Sequence, residues 1–287
     1  MSKMGTTRRK FISYLGGVAL LPYVACSTKP KARVVIVGGG HAGIEAAFAV
    51  ANLGIKAVLV TMDVGAVGRM SCNPAIGGLG KGHLVKEIDA LGGIMGRASD
   101  ACGLQFKMLN KSKGRAVWSP RAQIDKHKYA IYIQKVFSSH KNISIIQDEV
   151  VDFCVDSVGI SRVVLRSGDD IMARSLIVCT GTFLKGIIHV GNESYPAGRY
   201  GEPHAISLSD NIVNKGFITS RLKTGTPPRL LRDSINFSKT ELSYGDNKLV
   251  NLIINAINGP GDIDLLNIEF GTKGSVANGI PGITATL

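Results

Sequence analysis

Residues 32–54 read ARVVIVGGGHAGIEAAFAVANLG. The run Arg33–Val37 has the β-branched, apolar character of a buried strand, and a helical pattern follows to about Leu53, where Gly54 stops it. Between them Gly38, Gly40 and Gly43 stand in the spacing G-x-G-x-x-G. The three glycines serve different needs, since the first permits a tight turn, the second lets the backbone approach a pyrophosphate, and the third lets the helix pack close to the strand. A phosphate placed there meets free N–H groups at the positive end of the helix dipole. A second strand pattern, IKAVLVT from Ile55 to Thr61, completes a strand–turn–helix–strand unit. That context turns a weak motif into a prediction of dinucleotide binding, with Gly38, Gly39, Gly40, His41, Ala42 and Gly43 as the phosphate cradle. An acid about twenty residues further on binds a ribose in such units. Asp63 has that separation and is the candidate, although Thr61 occupies the strand end itself.

Outward from this unit, a glycine-rich loop from Gly65 to Gly82 interrupts the regular alternation of an NAD dehydrogenase. A helix is expected from Arg121 to about His140, then short strands near 143–147, 150–155 and 160–166, then the buried strand in ARSLIVCTGTF (173–183). An early glycine motif with a late strand ending in Thr180-Gly181 resembles the FAD-binding half of a two-dinucleotide flavoprotein. The expected class is α/β, a Rossmann-like FAD-binding domain, incomplete relative to that type, with a β-rich excursion. The predicted organisation is a signal-like segment over 1–30, the FAD-binding domain over 31–220, and over 221–287 the start of a second domain or a truncated, partly irregular tail.

Composition sets the outer bounds. The chain of 287 residues carries a net charge of +13. Residues 1–30 hold Lys3, Arg8, Arg9, Lys10 and Lys29 and no acid, so +8 belongs to the remainder. That excess fits either a polyanionic partner such as RNA or a soluble basic surface. The five cysteines form no CxxC pair and no Cys/His cluster at metal spacing, which argues against a zinc site or a disulfide framework. Mean hydropathy of +0.17 is too low for a multi-span membrane protein. The first thirty residues have the order of an export signal: paired Arg8-Arg9, an apolar stretch from Phe11 to Val24, and Ala25 before Cys26. The pair resembles a twin-arginine signal and YVAC an imperfect lipoprotein site that would anchor Cys26. A misassigned start is the other reading.

Two segments carry candidate chemistry. RMSCNPAIGGLGKGH (69–83) sets Cys72 beside Asn73-Pro74, with Arg69, Lys81 and a helix start near His83 as sources of positive potential. From the residues alone Cys72 is either a small buried side chain or an activated thiol. KSKGRAVWSPRAQIDKHK (111–128) has six Lys or Arg against one Asp, with Trp118 in its middle. It suits a grip on unstacked RNA, or equally a solvated helix start beside a buried tryptophan. A second basic cluster holds Arg221, Lys223, Arg229 and Arg232, with Pro227-Pro228 extended between them.

GGGHAGIEAA, MSCNPAIGGLGKGHLVKEIDALGG, KSKGRAVWSPRAQIDK, CTGTFLKGIIHVG, YPAGRYGEP and SRLKTGTPPR follow one another in an order that resembles the MnmG/GidA family of tRNA uridine 5-carboxymethylaminomethyl modification enzymes. The resemblance runs from about Val34 to about Ser238, and the chain reads as a truncated form of such an enzyme. It departs from the pattern at Arg115, where the family has proline, and at Ala205, where it often has serine. The resemblance implies FAD on the Gly38–Gly43 turn, Val150 at the adenine end, NADH as reductant and methylenetetrahydrofolate as one-carbon donor. It also implies tRNA as substrate, a GTPase partner (MnmE), a homodimer and a cytoplasmic location; no integral membrane domain is expected, because the apolar stretch from Phe11 to Val24 is too short to span a bilayer. Cys72 then falls on a family cysteine with a catalytic role, as a nucleophile for uridine C6 that makes C5 electron-rich. An exported FAD-dependent oxidoreductase and a non-catalytic RNA-binding remnant are the competing readings.

Overall fold

The strand predicted around the glycine motif forms as β1 (Arg33–Val37), followed by helix α1 (His41–Asn52) and strand β2 (Lys56–Thr61), which lies parallel to β1. The computed structural model describes residues 33–71, 73–225, 230–246 and 282–284. Two later strands join the same sheet. β6 (Ile143–Gln147) pairs with β2, and β10 (Ser175–Val178) pairs with β1, both parallel, so the order is β10–β1–β2–β6. The late strand of ARSLIVCTGTF forms as expected, but it lies at the edge of the sheet beside β1 and is half-buried to exposed rather than buried.

Runs such as VVIV and AVLV are apolar at every position because both faces of a parallel sheet are covered. Ile36 and Leu59 point to one side, where they pack with Ile44 and Phe48 of α1 and with Tyr129, Ile133 and Phe137 of helix α4 (Lys126–Ser139; α2 and α3 precede it). Val35, Val37, Val58 and Val60 point to the other side, against Val150, Phe153, Val163 and Leu165 of an antiparallel sheet and Leu208 of helix α5 (Ser207–Asn214). That sheet, β7 (Val150–Asp156), β8 (Gly159–Leu165) and β9 (Asp170–Met172), is the β-rich excursion between β6 and β10.

Between β2 and β6 lie the short strand β3 (Ala75–Gly77), helices α2 (Lys81–Ala90) and α3 (Met95–Cys102), and strands β4 (Gly103–Leu109) and β5 (Ser119–Ile124). β3, β5 and β4 form an antiparallel sheet in that order. The helix expected from Arg121 begins instead at Lys126. Residues 119–124 alternate inward and outward as a strand, with Ser119, Pro120, Ala122 and Ile124 buried. Asp125 then stops the strand and caps α4, its carboxylate accepting from the N–H groups of His127 and Lys128, both at 3.1 Å. Residues 241–246 fold back onto β4: Gln105 donates to the Ser243 carbonyl at 2.8 Å, and the Asp246 carboxylate accepts from the Met108 N–H at 2.7 Å. The leader-like segment, Pro227-Pro228, Arg229 and Cys72 lie outside the described residues. Among the described cysteines, Cys102 is buried and Cys154 and Cys179 are half-buried.

Candidate functional site

The glycine turn sits at the carboxyl ends of the parallel strands, the end at which open α/β sheets bind ligands. Gly38 adopts φ +104°, a conformation that other residues rarely take. Its N–H donates to the Val60 carbonyl at 2.8 Å, and a Cβ there would overlap the carbonyl oxygen of Cys179. A Cβ on Gly43 would overlap the carbonyl oxygen of Gly38, so α1 rests directly on the turn. Gly39, for which the motif spacing gives no steric reason, is closed as well: its Cβ would stand 2.9 Å from Val67 and 3.3 Å from the Thr61 hydroxyl. Gly40 is the exception. Nothing lies within 4 Å of a Cβ built there.

Gly40 is extended and begins α1 without a side-chain cap, and the first turn of the helix carries no acid. The N–H groups of His41, Ala42 and Gly43 thus face a positive helix terminus bordered by open space. The residues present fit a dinucleotide pyrophosphate: a main-chain cradle, closed by sterics on three glycines and open at the fourth. Thr180 and Gly181, the late Thr-Gly pair, are brought against this turn, with the Cys179 N–H donating to the Val37 carbonyl at 2.8 Å.

Around the mouth stands a charge network that local sequence reasoning missed. Arg69 bridges Asp63 at 3.4 Å and Glu202 at 2.9 Å. Arg199 pairs with the same Glu202 at 3.0 Å, donates to the Ser71 hydroxyl at 2.7 Å, and lies over the Phe183 ring at 5.2 Å. Asp63, the candidate ribose ligand, lies two residues beyond the end of β2 with its carboxylate half-exposed and turned to Arg69. His41 has a buried Nδ1 with no hydrogen-bond partner among the described residues. Burial, reinforced by the nearby charges of Lys81 and Arg199, holds its pKa below the ordinary value, which favours a neutral ring. Its edge meets Tyr129 at 5.6 Å.

Val150 opens β7 just past the end of β6, where the Asp148 N–H donates to the Thr61 carbonyl at 3.0 Å. Its side chain is buried in the second core, so its main chain is what it can offer a ligand. The neighbouring Glu149 pairs through Oε2 with Arg166 at 2.7 Å, while its Oε1 is buried without a partner among the described residues. The structure thus gathers the glycine turn, Thr180, Asp63 and the start of β7 along the carboxyl edge of one sheet. Ser71 is brought to the same mouth by its hydrogen bond from Arg199, while Cys72 lies outside the described residues.

This arrangement defines a nucleotide-binding α/β protein of the Rossmann type. The chain belongs to the family described as glucose inhibited division protein A, whose model matches residues 33–259. Among relatives, the tRNA uridine 5-carboxymethylaminomethyl modification enzyme MnmG of Chlorobium phaeobacteroides is 48% identical over 214 residues, covering 74% of this chain and 34% of the relative. The enzyme of the same name from Aquifex aeolicus is 49% identical over 213 residues, again 74% of this chain and 34% of the relative. The solved structure of Aquifex aeolicus GidA in its form II crystal superposes with a TM-score of 0.75 at 46% identity, covering 79% of this chain and 38% of that one. The chain spans about a third of the length of the curated relatives it matches. None of the described helices is long and apolar enough to cross a membrane.

Proposed function

We propose that this chain is the FAD-binding part of a tRNA-modifying flavoprotein that builds an aminomethyl-type group on C5 of a wobble uridine. One observation carries the reading: of the four glycines in the turn, Gly40 alone faces open space, at the uncapped positive end of α1. The names of the relatives supply the substrate class. FAD, reduced by NADH, would supply the reducing equivalents, and methylenetetrahydrofolate the carbon unit. The main-chain amides from His41 to Gly43 hold the pyrophosphate, Asp63 faces the ribose side, and the Val150 main chain faces the adenine end. Neutral His41 offers a ring nitrogen to a polar group of the cofactor without adding charge. Cys72, three residues from Arg69 in sequence, serves as the nucleophile toward uridine C6. The GTPase partner, a homodimer and a cytoplasmic site of action belong to the same reading, with residues 31–220 as the cofactor domain and 221–287 as the start of the next. The leader-like sequence over 1–30 favours the alternative, an exported flavin oxidoreductase, which would bind FAD but not tRNA.

The test is a pair of measurements on Cys72→Ser in the chain extended to the length of its relatives. Flavin absorbance is expected to stay at the parent level while formation of modified uridine in tRNA is lost. Normal modified uridine from that variant would remove the nucleophile role, and a parent protein without flavin would remove the cofactor assignment.

A further inference from the structure

The hairpin between β4 and β5 takes no part in the glycine-turn site, and each residue of its tip, Lys111 to Trp118, is exposed. The tip is nonetheless ordered by its own bonds. Two short 3-10 turns, Lys111–Lys113 and Arg115–Val117, are joined at Gly114, which takes φ +96°. The Trp118 Nε1–H donates to the Lys111 carbonyl at 3.2 Å and closes the loop. The indole is thereby fixed in position while 37% exposed, and the Arg115 guanidinium lies over its face at 5.8 Å.

The charges nearby are one-sided. Lys111 pairs with Asp246 at 2.7 Å, but Lys113 and Arg115 have no ion pair among the described residues. Further down the hairpin Lys107 stands directly opposite Arg121, and the residue opposite Arg121 on its other side is Gly77, so that row contains two cations and no acid. Lys107 donates to the neutral hydroxyl of Ser243 at 2.7 Å. Like charges facing each other across a ladder are destabilising, and an anion placed between them reverses the sign.

We infer that this hairpin tip is a docking platform for unpaired RNA. A base stacks on the Trp118 indole beside the Arg115 guanidinium, and the flanking phosphates are neutralised by Lys113, Lys107 and Arg121. Base–aromatic stacking needs an unstacked base, so the occupant is a single-stranded loop or end rather than a duplex. An acidic peptide would use the cations but not the exposed ring. The identity of the RNA as tRNA rests on the function proposed above; the platform itself rests on the hairpin.

Trp118 is the one tryptophan of the chain, so its emission reports on the platform alone. The full chain is titrated with a labelled anticodon stem-loop RNA, following label anisotropy and tryptophan emission together. Emission is expected to be quenched in parallel with the rise in anisotropy, and log affinity to fall with log salt by about 0.7 per phosphate neutralised. Trp118→Ala is expected to weaken binding by about 5- to 150-fold, with Trp118→Phe retaining most of it. Arg121→Ala should flatten the salt slope, and a blunt duplex of the stem should leave emission unchanged. Saturating anisotropy with constant emission, or a Trp118→Ala variant that binds like the parent, overturns the platform and leaves the tRNA reading intact. No anisotropy change at low salt overturns both. The emission arm needs no substitution, so a folding defect in a variant cannot mask the outcome.

Discussion

A Cβ added at Gly40 would find no atom within 4 Å, whereas one added at Gly43 would overlap the Gly38 carbonyl oxygen. The fold therefore requires a glycine at position 43 and not at position 40, where the proposed function assigns the requirement to a ligand. Gly40→Val is expected to fold, with a loss of no more than about 1 kcal/mol from the poorer helix-start residue, yet to lose bound flavin. Gly43→Ala is expected to lose roughly 1–3 kcal/mol, because the helix must move off the turn to admit a methyl group. Urea midpoints and flavin absorbance of the two purified variants separate these effects, and a Gly40→Val protein that keeps its flavin would remove the cradle. This part of the site was legible in the sequence because its parts lie within a dozen residues and each glycine answers to a local steric rule. The network of Arg69, Ser71, Arg199 and Glu202 was not, since its contacts Arg69–Glu202 and Arg199–Ser71 span 133 and 128 residues and no periodicity links them.

At the scale of elements, α1, α2 and α3 share two buried carboxylates that hydrophobic patterning does not reveal. Glu45 of α1 accepts from the N–H groups of Ile94 at 3.1 Å and Met95 at 2.6 Å, so a residue of one helix satisfies the start of another. Asp89, near the C-terminal end of α2, is 2% exposed, and neither carboxylate oxygen has a hydrogen-bond partner among the described residues. Burial raises its pKa above the ordinary 3.8, with Arg97 partly opposing the shift. The negative end of the α2 dipole also disfavours its charge. A carboxyl whose folded pKa exceeds its unfolded one contributes stability that is complete below the unfolded value and is lost as pH rises through the folded one. Asp89→Asn is therefore expected to gain stability over the parent at pH ~7 and to lose that advantage as pH falls toward ~4. Urea unfolding of both proteins at the two pH values measures it, and an equal difference at both would show that Asp89 does not carry the effect. Local pattern served well for β1, β2 and β6, whose apolar runs admit one reading. It failed for β5, because Ser-Pro-Arg-Ala-Gln also suits the first turn of a helix, and only pairing with β3 and β4 decides for strand.

For the molecule as a whole, the parallel sheet and both core layers join segments far apart in sequence, and the glycine turn lies where β1, β2 and β10 converge. A ligand seated at that convergence touches elements from both ends of the domain, so its binding energy acts on global unfolding rather than on one loop. Apolar residues such as Ile218 and Leu222 are almost wholly exposed, which leaves the described part of the chain with less buried surface than its composition could supply. Stability should then depend visibly on the cofactor. Free FAD at a hundredfold excess over its dissociation constant adds about 2.7 kcal/mol to a protein that binds it only when folded. For a domain of this size each kcal/mol moves Tm by about 2–4 °C, so saturating FAD is expected to raise Tm by roughly 5–10 °C. The Gly40→Val protein should show no rise, whereas Cys72→Ser should match the parent, because the proposed function gives the thiol a part in the chemistry and none in the cradle. A Tm unmoved by FAD in the parent protein, or moved equally in Gly40→Val, would mean that the carboxyl edge of this sheet holds no dinucleotide.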